Sequence, residues 1–233
     1  MMFYDEIMQL FQNRFGSNIT ACLSCGNHEL NRNIVYKVSY PETSYVVKVF
    51  LKPDKYMREI HAIPLTHDVN VLRIIDHGIL ENGHEWIIYN YIDGWILEHI
   101  YDDLDLDQLR SLFYQMGHKV AEIHQVMTFD YFGDWRVEKQ SHLNHYRSHM
   151  IEDTERMIRN IYVSGLPDKA LFDVCVKNIR EEYDNIRPLS VGRLCHRDLD
   201  GRNIIVGFEH ALDLKVKGRS EEHTSELQSR HNL

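Results

Sequence analysis

The chain has 233 residues, of which 43% are hydrophobic and 26% are charged, as in an ordinary globular protein. Its formal net charge of −9 argues against nonspecific binding to nucleic acid or to an anionic membrane surface. No apolar run reaches the length of a membrane span, and the N-terminal residues lack the basic-then-apolar layout of a signal peptide. These properties predict a cytoplasmic protein with neither nucleic-acid nor membrane partners.

The four cysteines and 15 histidines form no recognisable metal-binding pattern. Cys22 and Cys25 are separated by two residues, but no second close pair completes the spacing of a structural zinc site. They lead into Gly26 and Asn27, a turn sequence, whereas a redox-active pair opens a helix. We therefore expect all four cysteines to be reduced thiols.

The first part of the chain, residues 1–93, predicts mainly β-structure. Its N-terminal segment mixes apolar and charged residues at helical spacing, and the following segments alternate apolar and polar residues like half-buried strands. The predicted elements are a helix within residues 1–15, a hairpin of strands at 33–40 and 45–50, a short helix from Pro53 to Pro64, and strands at 71–80 and 85–92 joined by Asn82–Gly83.

Beyond Gly94 the pattern becomes mainly helical. Apolar residues recur every three or four positions along most of this part, as on the buried face of an amphipathic helix. The predicted elements are helices at about 107–127, 139–163 and 168–186, and short strands around Leu194 and at 204–206. We therefore divide the chain into a first domain, residues 1–93, and a second domain, residues 94–218.

The segment H-R-D-L-D-G-R-N, residues 196–203, concentrates polar side chains between two apolar runs. It places Asp198 and Asn203 five residues apart on a predicted loop. A carboxylate at this position can orient a substrate hydroxyl and accept its proton, and the amide oxygen can hold a Mg²⁺ ion near nucleotide phosphates. His196 and Arg197 are expected to brace the loop. The segment thus predicts phosphoryl-transfer chemistry, provided that other elements accompany it.

Two charged residues in the first domain supply that context. Lys48 lies in the second strand of the predicted hairpin, and Glu59 lies in the helix that follows, beside its apolar stripe. The Glu59 carboxylate can therefore point toward the sheet and pair with Lys48, an arrangement that holds the α- and β-phosphates of a nucleotide. The strand that ends near Gly94 is then suited to present backbone groups to a nucleotide base.

Taken in order, these elements resemble the protein-kinase-like fold. The interval from Asn90 to Asp198 holds three predicted helices and is longer than in protein kinases. Together with the glycine-poor first hairpin, it makes the chain similar to the aminoglycoside phosphotransferase and choline kinase-like family. That family often has Gly where this chain has Arg197, which is the protein-kinase spelling. The resemblance implies an α+β, two-lobed fold with an antiparallel-sheet N-lobe and a mainly helical C-lobe, incomplete in this chain.

The resemblance also implies an activity: ATP-dependent transfer of the γ-phosphoryl group to a hydroxyl of a small molecule, such as an aminoglycoside or another hydroxylated metabolite. ATP or GTP, with Mg²⁺, would be the cofactors. The implied roles are Lys48 at the phosphates, Glu59 as its partner, Asn90 and Ile92 as main-chain contacts of the base, Asp198 as catalytic base and Asn203 as a Mg²⁺ ligand. A protein kinase-like enzyme and a catalytically inactive kinase-fold module for nucleotide binding or interaction are the alternatives.

The sequence after Asn203 has no Asp in the strand setting where this family places its second metal ligand. The strand-like stretch 214–218 instead meets R-S-E-E-H-T-S-E-L-Q-S, which lacks any apolar period and resembles a translated sequencing-adapter oligonucleotide. We therefore expect residues 219–233 to be an artefactual tail on a truncated chain. We also expect the polypeptide as written to have little or no kinase activity.

Overall fold

A computed structural model describes most of the chain, namely residues 3–25, 33–52, 55–66, 72–134, 145–165, 168–196, 199–210, 213–219 and 227–229. The helices are α1 (Tyr4–Phe15), α2 (Lys55–Leu65), α3 (Leu97–Ile100), α4 (Leu106–Val126), α5 (Tyr146–Ser164) and α6 (Lys169–Glu181). Within these residues, each helix is too short or too polar to cross a lipid bilayer.

The strands form three sheets. They are β1 (Ala21–Cys25), β2 (Asn33–Ser39), β3 (Ser44–Phe50), β4 (Ile74–Ile79), β5 (Glu85–Asn90), β6 (Trp95–Ile96), β7 (Thr128–Phe129), β8 (Gly133–Asp134), β9 (Gly192–His196), β10 (Ile204–His210), β11 (Asp213–Arg219) and β12 (Leu227–Ser229). The combination of helices with antiparallel sheets confirms the predicted α+β class.

The first sheet has five antiparallel strands in the order β1-β2-β3-β5-β4. The predicted hairpin is its centre, where β2 pairs with β3 and β3 pairs with β5. Helix α1 covers one face by packing Ile7 and Phe11 against a cluster that includes Val47 and Trp86. Helix α2 covers the opposite face. Because side chains alternate between the two faces of a strand, each strand supplies residues to both clusters.

Helix α1 illustrates how the sequence produces these elements. Its buried residues Ile7 and Phe11 are four positions apart and so lie on one face of the helix. Acidic residues occupy the first turn and Arg14 the last, as the helix dipole favours, and the helix ends at Gly16 with φ of 91°. Arg14 pairs with Asp76, which ties α1 to the edge strand β4.

Helix α2 differs slightly from its prediction. Pro64, expected to close the helix, lies within its last turn, and the helix continues to Leu65. A proline near the end is tolerated because it removes only one backbone hydrogen bond there. Thr66 follows, and its main-chain N–H and side-chain hydroxyl both donate to the Ile63 carbonyl at 3.0 and 2.9 Å, which terminates the helix.

The second sheet joins the segment after β5 to the strands after residue 203. Its order is β11-β10-β6, all antiparallel. The predicted strand at 214–218 is present as β11. Helix α4 packs Leu112 and Met116 against Ile204 and Val206 of β10, so this sheet and the long helix share one core.

The third sheet has the strand order β7-β9-β12-β8. Part of the segment expected to be an artefactual tail takes part in strand pairing: Arg219 ends β11, and Leu227–Ser229 pairs with Leu194–His196 of β9. Strand pairing uses backbone groups, so a three-residue segment without apolar alternation can form it.

The helices between α4 and β9 differ from their predicted bounds. Of the segment predicted as a helix at 139–163, the structure has α5 from Tyr146, and residues 135–144 lie outside the described residues. The last predicted helix ends at Glu181 and passes into a 3-10 turn, Glu182–Asn185. Glu155 of α5 accepts two hydrogen bonds from the Arg180 guanidinium, at 2.7 and 2.8 Å, and these join the two helices.

Candidate phosphotransferase site

Lys48 and Glu59 form a buried ion pair on the face of the first sheet that α2 covers. Lys48 Nζ lies 2.7 Å from Glu59 Oε1, and the two residues are 0% and 7% exposed. Lys48 faces α2 because it pairs with Ile87 of β5, whose side chain is in the cluster under that helix. An isolated lysine in a strand is usually solvent-exposed, so the buried pairing marks this residue as unusual.

Two aromatic residues complete the surroundings of this ion pair. The Tyr89 hydroxyl donates a 2.5 Å hydrogen bond to Glu59 Oε2, so both carboxylate oxygens have a partner. The ring of Phe50 lies 4.7 Å from Lys48 Nζ, within the range of a cation–π contact. The ammonium is therefore held between a carboxylate and an aromatic ring in a site that excludes most water.

Helix α2 is also fixed to β4. The Tyr56 hydroxyl and His77 Nδ1 are 2.6 Å apart, and the Tyr56 ring meets Phe50 edge-on with centroids 6.0 Å apart. Burial raises the pKa of Tyr56, and the carboxylates of Glu85 and Asp76 raise it further, so its hydroxyl stays protonated near neutral pH. This contact fixes the helix that carries Glu59.

The predicted base-binding segment leaves the sheet at the end of β5. The Asn90 main-chain N–H donates to the Arg73 carbonyl at 3.1 Å, and the Asn90 side chain accepts from the Arg73 N–H at 2.6 Å. The Tyr91 N–H donates to the Ser44 carbonyl at 3.2 Å. The main-chain N–H of Asn90 is thus engaged, whereas Ile92, also predicted here, lies just beyond the last paired position.

The polar segment 196–203 is described in part. Asp198 and Arg197 lie outside the described residues. Asn203 is fully buried at the end of a 3-10 turn, Gly201–Asn203. Asp200 caps this turn: its side chain accepts from the Arg202 N–H at 2.9 Å, and its carbonyl accepts from the Asn203 N–H at 3.0 Å. The turn therefore fixes the backbone of Asn203 at the start of β10.

The register of the second sheet brings another chain segment close to Asn203. Ile204, the next residue, is opposite Arg219 at the end of β11. The end of β11 thus lies beside the residue that follows Asn203. Among the residues that the structure describes, no group of three His, Cys, Asp or Glu side chains is arranged to hold a metal ion.

A cavity of about 380 Å³ borders the same segment. Apolar residues of α3, α4 and β10 form much of its wall, and three carboxylates, those of Glu98, Asp102 and Asp200, line it as well. Asp200 is paired with Arg202 at 2.5 Å, which offsets its charge. The other residues that line the cavity are Leu97, Tyr101, Phe113, Met116, Leu199, Gly201 and Ile204.

The structure thus brings together some of the residues predicted from sequence and adds others. It joins Lys48 to Glu59 on the first sheet, whereas Asn203 ends the 3-10 turn that leads into β10 of the second sheet. Sequence analysis missed Tyr89 as a partner of Glu59. Strand alternation could have found it, because Tyr89 is two residues after Ile87 and so lies on the same face of the sheet as Lys48. No comparable sequence pattern identifies the residues that line the cavity.

Solved structures with a similar fold include aminoglycoside phosphotransferases. Aminoglycoside phosphotransferase APH(4)-Ia in a ternary complex with AMP-PNP and hygromycin B is 12% identical, with a TM-score of 0.73 over 96% of this chain and 72% of that chain. Aminoglycoside 2′-phosphotransferase-IIIa in complex with GDP is 14% identical, with a TM-score of 0.60 over 92% of this chain and 70% of that one. This likeness confirms the predicted kinase-like fold.

Two further comparisons concern the sequence. No curated protein matches the chain. A family model described as the phosphotransferase enzyme family, APH, matches residues 27–213, which include Lys48, Glu59 and Asn203. The chain therefore belongs to the APH phosphotransferase enzyme family.

Proposed function

We propose that this protein transfers the γ-phosphoryl group of ATP or GTP to a hydroxyl of a small molecule. The observation that carries the proposal is the buried Lys48–Glu59 ion pair. Taking two charges out of water costs free energy that their attraction often fails to recover, so stability alone is a weak reason for such a pair. A lysine held in this way is suited to bind nucleotide phosphates.

The nucleotide base is assigned to the segment after β5. Because the Asn90 N–H already donates to Arg73, Asn90 would contact a base through its carbonyl oxygen. Ile92, two residues further along, would supply a main-chain N–H. ATP and GTP differ in the groups that face these contacts, and the similar structures include complexes with an adenine nucleotide and with a guanine nucleotide.

Asn203 is assigned to Mg²⁺. Its amide oxygen is a hard donor of the kind that Mg²⁺ accepts, and this ion commonly takes only one or two protein ligands together with phosphates and water. When bound, Mg²⁺ would neutralise charge on the phosphates. The burial of Asn203 and the 3-10 turn before it fix the donor in one place.

Asp198 is assigned as the catalytic base, where it would orient the acceptor hydroxyl and accept its proton. The cavity beside residues 199–204 is the candidate acceptor site because it opens next to this loop. Its volume suits a small molecule rather than a folded protein. Similar structures hold hygromycin B or spectinomycin, so these two compounds are reasonable first acceptors to test.

We further propose that phosphoryl transfer by this chain is slow. The fold requires a second carboxylate ligand for the metal, and the sequence after Asn203 offers none in the expected strand setting. Nucleotide binding with slow transfer is therefore the expected behaviour, whereas a catalytically inactive module would bind nucleotide without transfer.

Binding and transfer should be measured separately. Titration with MgATP and with MgGTP should show binding by the wild-type protein and a loss of at least about tenfold in affinity for Lys48→Ala. Lys177→Ala, an exposed lysine of α6, is the matched control and should bind like wild type. Absence of binding to both nucleotides by the folded wild-type protein would refute the proposal.

Transfer should then be followed with γ-labelled nucleotide and a panel of hydroxylated acceptors that includes hygromycin B and spectinomycin. Label transfer that Asp198→Ala abolishes would support a phosphotransferase. Binding without transfer to any acceptor would favour the inactive module. Transfer at an ordinary enzymatic rate would show that a second metal ligand exists and that the expectation of slow turnover is wrong.

A further inference from the structure

We propose that Tyr89 is a positioning residue that orients the Glu59 carboxylate and thereby fixes Lys48 for nucleotide binding. This inference rests on the proposed function. The Tyr89 hydroxyl donates directly to the Glu59 carboxylate, so its effect on Lys48 would be transmitted through Glu59.

The geometry divides the two oxygens of Glu59 between two donors. Oε1 accepts from Lys48 Nζ at 2.7 Å, and Oε2 accepts from the Tyr89 hydroxyl at 2.5 Å. The donors come from neighbouring strands: Lys48 is opposite Ile87 in the pairing of β3 with β5, and Tyr89 is opposite Val46. Both side chains therefore project from the same face of the sheet toward α2.

Each donor constrains a different degree of freedom of the carboxylate. The terminal torsion of a glutamate is broad, so an ion pair through one oxygen leaves the carboxylate able to rotate. A second hydrogen bond from a fully buried tyrosine removes that freedom. The tyrosine itself is held by the apolar cluster of Phe50, Ile63, Leu72 and Ile87 beneath α2, so it provides a rigid reference.

Loss of the Tyr89 hydroxyl should change the position of the Lys48 ammonium. Without Tyr89 as a donor, Glu59 Oε2 would be left in a buried site without this partner, which is costly for an ionised oxygen. The carboxylate would then turn or attract water, and the ammonium would follow it. Lys48 would then be less well positioned to bind nucleotide phosphates, although both charges of the pair remain.

The test uses Tyr89→Phe in the full chain, with Tyr36→Phe as the control. Tyr36 is another buried tyrosine of the same sheet, 1% exposed, but it lies in the cluster on the opposite face. Two measurements are made. The first is the rate at which an amine-acetylating reagent labels Lys48, read by mass spectrometry and normalised to exposed Lys177. The second is the affinity for MgATP and MgGTP.

Tyr89→Phe should label Lys48 roughly tenfold faster than wild type and bind nucleotide about five- to tenfold more weakly, whereas Tyr36→Phe should change neither quantity. In a Glu59→Gln background the effect of Tyr89→Phe should shrink, because the hydroxyl acts through the carboxylate. Should Tyr89→Phe fold poorly, Tyr89→Met supplies a second variant, with a smaller and flexible apolar side chain that lacks a hydroxyl.

Equal Lys48 labelling in wild type and Tyr89→Phe, or fully additive effects with Glu59→Gln, would overturn the inference. A failure of the proposed function is distinguishable from this result. If wild type binds neither nucleotide but Tyr89→Phe still accelerates Lys48 labelling, Tyr89 positions the pair and the nucleotide assignment is wrong. Accelerated labelling in Tyr36→Phe as well would show a general loosening of the sheet and would also overturn the inference.

Discussion

Gly94 and Val206 are so close that a side chain at Gly94 would collide with the backbone of β10. A Cβ atom built on Gly94 lies 2.5 Å from the Val206 carbonyl oxygen and 2.7 Å from Ile205 Cγ2. Gly94 also has φ of 156°, which residues with side chains rarely adopt. Gly94 follows the predicted base-binding segment and directly precedes β6, which pairs with β10. The absence of a side chain at Gly94 therefore allows the chain that leaves the first sheet to pack against β10, the strand after Asn203.

Gly94→Ala should therefore destabilise the protein by at least about 2 kcal/mol, the combined cost of overpacking and backbone strain. The free energy of unfolding in urea measures it. Gly117→Ala is the matched control: Gly117 lies inside α4 with no atom within 4 Å of an added Cβ, so alanine should stabilise by up to about 1 kcal/mol. Similar effects of the two substitutions would contradict the close packing at Gly94.

Removal of one partner of the Lys48–Glu59 pair should cost more than replacement of both. Lys48→Met leaves the Glu59 carboxylate buried without its cation and should destabilise by about 3–5 kcal/mol. The double substitution Lys48→Met with Glu59→Leu removes both charges, so the second change should recover part of that loss.

The free energies of unfolding in urea of Lys48→Met, Glu59→Leu and the double variant together form a double-mutant cycle. The exposed pair Lys119–Glu122, joined at 3.0 Å, provides a control cycle whose coupling should stay below about 1 kcal/mol. Additive effects at Lys48 and Glu59 would show that the two groups do not share a buried contact.

Much of the fold could be predicted from local sequence patterns. The hairpin of β2 and β3 and the helix α4 have long, regular apolar periods, and both are present close to their predicted bounds. In the third sheet, β9 corresponds to the short strand predicted around Leu194, whereas the two- and three-residue strands β7, β8 and β12 were not predicted. The pairing of β12 with β9 and β8 depends on backbone contacts between distant segments. A strand of three residues is too short to show an apolar alternation.

The candidate site likewise contains one contact that the sequence predicts and one that it does not. The contact between Lys48 and Glu59 follows from strand alternation and from the helix that comes next, so sequence predicts it. The cavity beside residues 199–204 joins α3 and α4 to a loop about 100 residues later in the chain, and no spacing rule encodes that contact.

The acidic run at residues 102–107 has a structural explanation at Asp105. Its side chain accepts from the Gln108 N–H at 2.8 Å, and the Gln108 side chain accepts from the Asp105 N–H at 3.0 Å, which forms a capping box at the start of α4. Asp105→Ala should cost about 1 kcal/mol in the free energy of unfolding, whereas Asp103→Ala, in the exposed turn before it, should be nearly neutral. A loss of equal size at both positions would contradict a capping role.

Glu155 should make the stability of the α5–α6 pair depend on acidic pH. Hydrogen bonds from Arg180 and then Tyr183 lower the pKa of Glu155 from 4.5 to about 2. Because the folded-state pKa is depressed, the ionised carboxylate contributes its full stabilisation above pH 4.5. That contribution is lost as pH falls from about 4.5 toward 2.

Glu155→Gln should therefore be less stable than wild type at pH 7, by under about 1 kcal/mol because the Arg180 partner is largely exposed to solvent and the pair is screened. The difference between the two proteins should shrink progressively as the pH is lowered below 4.5, measured by urea unfolding at a series of pH values. Glu181→Gln, whose carboxylate lies 3.7 Å from exposed Lys177, should show little difference at any pH. A stability gap for Glu155→Gln that stays constant from pH 7 to pH 3 would mean that its hydrogen bonds with Arg180 and Tyr183 do not depress the pKa of the carboxyl, and that α5 and α6 are held by apolar contacts instead.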